Sequence, residues 1–97
     1  MPYPIIWSPR SKITYYNILQ YLVASWSQKE IDSFIDRTER VLSLVKNNPF
    51  LYTYSKTSDT FKSVIIKQVT LFYRIKGKEV ELLIFWDSRQ NPYKLKL

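Results

Sequence analysis

The 97-residue chain contains no cysteine and no histidine. Disulfides, thiol nucleophiles and imidazole acid–base chemistry are excluded, and so is any metal site that needs nitrogen or sulfur ligands. No metal and no cofactor are expected. Glycine occurs once, at Gly77, so backbone of positive φ is scarce. No apolar run approaches the ~20 residues that span a membrane, and residues 1–20 lack the apolar region of a signal peptide. A cytoplasmic protein without a membrane partner or small-molecule substrate is expected.

What is present suits one compact domain over residues 1–97, which should bury roughly two-thirds of its extended-chain surface. Hydrophobic residues make up 45% and charged residues 24%, a globular balance rather than a disordered one. The net charge is +7 and unevenly spread. Up to Ser55 there are six basic and four acidic residues; after it there are nine and four. That surplus points to a polyanionic target or an acidic partner, although many small basic domains bind neither.

The chain is organised around residues 80–86, Val-Glu-Leu-Leu-Ile-Phe-Trp. One charge among branched and aromatic side chains reads as a strand buried on both faces, hence central in a sheet. The polar corner Asp87-Ser88-Arg89-Gln90-Asn91-Pro92 follows and lifts Arg89 out at the strand exit.

Upstream, residues 3–7 are apolar, and Pro4 limits them to an edge strand. Ser8-Pro9 is an N-cap and first helical residue. Tyr15, Ile18, Leu19, Leu22 and Trp26 then fall on one helical face. Ser27 and Glu30 form a capping box for a second helix with the stripe Ile31, Phe34, Ile35, Thr38, Val41, Leu42 and Val45. Asn47-Asn48-Pro49 ends it. So short a connection makes the helices an antiparallel hairpin. Residues 50–60 read as an irregular connection, and strands follow over 61–67 and 69–76.

Gly77-Lys78 supplies a two-residue hairpin turn. It sets Ile75 opposite Val80, Tyr73 opposite Leu82 and Leu71 opposite Ile84 on one face. On the other it sets Lys76 opposite Glu79, Arg74 opposite Glu81 and Phe72 opposite Leu83. Both charged pairs have opposite signs, worth about 0.2–1 kcal/mol each. The expected fold is α+β in the order β-α-α-β-β-β, with the helical hairpin on one face of a four-stranded antiparallel sheet. Strand 69–76 and the N-terminal strand flank the central one.

With Trp7-Ser8-Pro9, Thr70-Leu71-Phe72-Tyr73-Arg74-Ile75 and the corner from Phe85 to Pro92 in these places, the chain resembles the RelE/ParE superfamily of toxins from type II toxin–antitoxin modules. The likeness covers nearly its whole length. It implies a growth inhibitor held inactive by a cognate antitoxin. RelE-like members cut messenger RNA on the ribosome, whereas ParE-like members poison DNA gyrase and are not nucleases. A non-catalytic member that binds only its antitoxin, or a basic nucleic-acid-binding domain, is the alternative.

Cleaving RNA requires activating the 2′-hydroxyl, neutralising the phosphate and protonating the leaving oxygen, which falls here to Lys, Arg and Tyr. The resemblance implies Arg89, Lys62 and Tyr93 as catalytic candidates, and Lys67, Arg89 and Lys94 as target-binding ones. Thr70 departs from the family, which has arginine there. Each candidate also has a structural reading. Arg89 can pair with Asp87, Lys62 and Lys67 can belong to a solvated strand face, and Tyr93 can pack beside Pro92. The register above places Phe72, Leu83 and Phe85 on the sheet face away from the helices, an apolar patch rimmed by cations that suits the antitoxin.

Overall fold

The computed structural model describes residues 2–97. The elements are β1 (Ile5–Trp7), α1 (Pro9–Ser25), α2 (Gln28–Asn47), β2 (Thr53–Ser55), β3 (Thr60–Ile66), β4 (Val69–Lys76) and β5 (Glu79–Asp87), followed by a 3-10 turn at Pro92–Lys94. The sheet has five strands in the order β1-β5-β4-β3-β2, with the two helices on one face. This is the expected α+β layout with β5 flanked by β1 and β4. Two differences stand out.

The sheet is mixed, because β1 runs parallel to β5, with Ile5, Ile6 and Trp7 opposite Val80, Glu81 and Leu82. No hairpin joins these strands, and the whole helical layer and three strands lie between them, so nothing local forces them antiparallel. The connection after α2 also contributes a fifth strand. Thr53–Ser55 pairs with β3, and the Tyr54 ring packs 4.8 Å from that of Phe61. The turn that follows needs φ +54 at Asp59, a value aspartate tolerates.

Local chemistry fixes both helices. The Ser8 hydroxyl accepts from the Ser11 amide at 3.0 Å, and Pro9 opens α1. At α2 the capping box is complete: the Ser27 hydroxyl accepts from the Glu30 amide and the Glu30 carboxylate from the Ser27 amide. Ile18 and Leu22 of α1 and Ile31, Phe34, Thr38 and Val45 of α2 are buried. Between helices and sheet lies a run of rings: Trp7 stacks on Phe85 at 5.4 Å, and Tyr15 lies 4.9 Å from Phe85 and 5.7 Å from Phe34. Such pairs add about 0.5–1.5 kcal/mol each beyond burial. Deeper in the core, the Tyr73 hydroxyl donates to the Pro49 carbonyl at 2.7 Å, and burial raises its pKa well above 10.0.

Gly77 has φ +62, and the hairpin it closes begins in the expected register, from Lys76 opposite Glu79 to Tyr73 opposite Leu82. Beyond that the register shifts by one residue, so that Phe72 faces Ile84 and Leu71 faces Phe85. Leu83 is the extra residue of a bulge. The expected pairs Leu71–Ile84 and Phe72–Leu83 are therefore not formed. Phe85 turns inward and is 1% exposed, while Ile84 and Trp86 turn to the face away from the helices. Phe85 thus belongs to the core, not to an open apolar patch. Phe72 and Leu83 are half-buried.

The bulge lies where pairing with β1 ends, and α1 takes over the edge of β5. Ser8 donates from its amide to the Leu82 carbonyl at 3.2 Å and from its hydroxyl to that of Leu83 at 3.2 Å. The Thr14 hydroxyl accepts from the Phe85 amide at 3.0 Å. The N-cap residue and one side chain of α1 thereby satisfy backbone groups that would otherwise form an open sheet edge.

Candidate functional site: the cationic corner at the exit of β5

Two hydrogen bonds tie the corner to the neighbouring hairpin turn: the Ser88 amide and hydroxyl both donate to the Gln68 carbonyl, at 2.8 and 3.2 Å. Asn91 then caps the 3-10 turn by accepting from the Tyr93 amide at 3.0 Å. Held between these points, Arg89 reaches back toward both strand and helix.

Its Nε donates to Asp87 Oδ1 at 3.0 Å and its Nη2 to Oδ2 at 2.6 Å, a two-point pair. The Arg89 amide adds a third bond to Oδ1 at 2.9 Å. Nη1 donates to the Tyr21 hydroxyl at 2.7 Å, and the guanidinium lies 4.4 Å from the centre of the Tyr21 ring. The hydrogen bonds from Arg89 hold the Asp87 carboxyl below its ordinary range, and Asp87 in turn raises Arg89 further. Arg89 is therefore a latch between the strand exit and α1. Its Asp87-facing edge is fully used, and its outer edge remains accessible.

Beside the latch is a cleft of about 660 Å³ between α1 and the sheet. Arg10, Asn17 and Tyr21 line it from the helix, Trp86 from β5, and Arg89 and Lys94 from the corner and the turn. Three cations thus surround one carboxylate that is already paired. Such a wall suits an anionic group, while the Asn17 and Gln90 amides offer hydrogen bonding. The segment over 92–97 runs on from here across the face away from the helices. Lys94 shares the cleft with Ile84 and Trp86, Arg10 donates to the Lys96 carbonyl, and Leu97 lines a second hollow with Lys62 and Phe72. Ile84 and Trp86 are only 3% and 8% exposed.

The residues singled out from the sequence are dispersed. Arg89 and Lys94 share the cleft, whereas Lys62 lines the second hollow with Phe72. Lys67 occupies the turn between β3 and β4, and Tyr93 is 88% exposed and lines neither cavity. Arg74 stands opposite Glu81 as expected, but its guanidinium turns to the Ser58 and Asp59 carbonyls at 3.1 and 3.2 Å. Sequence reasoning missed Arg10, Asn17 and Tyr21. They recur at i, i+7 and i+11 on one side of α1, a spacing visible in the sequence, but nothing local shows that this side meets the corner. Among the described residues, no three acidic side chains gather to hold a metal ion, and no helix is long and apolar enough to cross a membrane.

No protein-family model and no curated protein match this sequence. Solved structures do match its fold. A chain of the chromosomal ParDE toxin–antitoxin system of P. aeruginosa superposes with a TM-score of 0.73 at 11% identity, covering 88% of this chain and 95% of that one. A mutant toxin from Helicobacter pylori gives 0.59 at 18% identity, over 90% and 96%. A chain of the YoeB–YefM complex of Staphylococcus aureus gives 0.56 at 13% identity, over 89% and 97%. The chain therefore has the RelE/ParE-like toxin fold: two helices packed on a mixed five-stranded sheet.

Proposed function

We propose that this chain is the toxin of a type II toxin–antitoxin pair, a growth inhibitor neutralised by a cognate antitoxin. The observation that carries the reading is the likeness of fold, over nearly the full length of both chains, to structures from the ParDE and YoeB–YefM toxin–antitoxin systems. The cationic cleft at the exit of β5 supports it, since such a site suits an anionic or acidic target. On this reading residues 1–97 act as one domain in the cytoplasm.

Of the two target classes, the dispersal of the catalytic candidates favours action by binding. Cleavage needs a proton acceptor, a phosphate-neutralising cation and a proton donor within reach of one phosphodiester. Lys62 lies in a different hollow from Arg89, and Tyr93 lines neither. DNA gyrase is therefore the favoured target, and ribosome-bound messenger RNA is the alternative. The target-binding set is Arg89 and Lys94, joined by Arg10, with Lys67 at the far turn. The purified chain should inhibit gyrase supercoiling, while transcripts mapped after induction keep their ends. New cleavage ends within codons, with supercoiling unaffected, would assign the chain to the cleaving class. Neither effect, without growth arrest, would identify a member that only binds its antitoxin.

A further inference from the structure

Helix α1 is apolar on two sides. Ile18 and Leu22 are buried in the core, with Tyr15, Leu19 and Trp26 partly buried beside them. On the side away from Ile18, Ile13, Tyr16 and Val23 are 60%, 60% and 63% exposed, and Gln20 is exposed between them. Residues 13, 16, 20 and 23 follow the i, i+3, i+7, i+10 spacing of a helix-pairing seam over almost three turns. The partner helix of the same hairpin shows nothing similar. Asp32, Asp36, Glu39, Arg40 and Ser43 form the exposed side of α2, an ordinary solvated face. The outer apolar stripe is thus particular to α1, and the described residues leave it open.

We infer that this seam seats an acidic amphipathic helix of the antitoxin; the inference rests on the toxin–antitoxin reading and specifies where the partner docks. Charge selects the occupant. Among the 17 residues of α1 there are two cations, Arg10 and Lys12, and no acidic residue. Lys12 directly flanks Ile13 at the rim of the seam. A second copy of the chain would bring another +7 molecule to the same surface, whereas an acidic helix complements it. Gln20 places one polar group mid-seam, where a single polar contact fixes the register of a helix pair. The sheet face is the less open choice for this helix, because Phe85 is in the core and Ile84 and Trp86 are buried.

The test uses the purified chain and the product of the adjoining reading frame, with affinity measured by titration calorimetry. Tyr16→Glu and Val23→Glu lie on an exposed surface and should fold normally, as circular dichroism would verify. Each should weaken the complex by roughly 30-fold or more, the scale of a central interface residue. Tyr16→Phe, which keeps the ring, should bind as the original does. Val64→Glu, equally exposed but on β3, should have little effect. In cells, Tyr16→Glu should still arrest growth and escape neutralisation. Tight binding of the unaltered chain with undiminished binding of both Glu variants would overturn the inference and leave the toxin reading standing. A chain that dimerises alone through this face, becoming monomeric with Tyr16→Glu, would also overturn it. An unaltered chain that neither arrests growth nor binds the adjoining product would instead remove the toxin reading, and the inference with it.

Discussion

An arginine that donates from Nε and Nη2 to one carboxylate has committed that edge of its fork, and Arg89 is committed in this way to Asp87. Its accessible edge faces the cleft only because Tyr21 and Asp87 hold the guanidinium there. Asp87 therefore governs Arg89, with a consequence in pH. The native carboxyl titrates below its ordinary value. The stability it contributes is complete above the unfolded range, near pH 4, and is lost as pH falls through the lowered native value. The melting temperature should fall on acidification through this window, and Asp87→Asn should flatten that dependence while lowering stability at neutral pH. A second residue carries the opposite expectation. Among the described residues the buried Ser63 hydroxyl has no hydrogen-bond partner, so Ser63→Ala removes a desolvated polar group and should be neutral or stabilising by up to about 1 kcal/mol in denaturant titration.

At the scale of elements, the helices were legible because each has a cap and one continuous inward stripe. The turn at Gly77 was legible because only glycine takes φ +62 readily. Gly77→Val should accordingly destabilise the fold by about 1 kcal/mol or more. The second half of β5 was not legible. Leu82, Leu83, Ile84, Phe85 and Trp86 are all apolar, so either alternation satisfies a hydrophobic pattern, and only the packed fold shows that Leu83 is extra. Phe85→Ala tests the corrected register. It should cost about 3–5 kcal/mol, as for a core aromatic, rather than the small change expected at an exposed site. Strand β2 escaped notice because its three residues are all exposed and carry no inward stripe. The direction of β1 has no local signal. The site was half legible: a corner after a central strand marked Arg89, but Tyr21, 68 residues away, joins it only through the fold.

At the scale of the whole molecule, three surfaces have separate characters. The outer side of α1 is apolar and free of acidic residues, the outer side of α2 is charged and mixed, and the cationic cleft lies where α1 meets the sheet. The net charge of +7 gives the molecule a field that favours acidic partners at the α1 stripe and at the cleft. On the proposed reading this arrangement separates neutralisation from action, since a helix on the α1 seam and a target at the cleft occupy different sides of one helix. The most direct test is the viable count after induction of the chain alone, compared with its Arg10→Glu/Lys94→Glu variant, which reverses two exposed charges of the cleft and should remain folded. The original chain should arrest growth and the variant should lose at least about 90% of that effect at equal protein level. Equal arrest by both proteins, or none by the original, would contradict a toxin acting through this cleft.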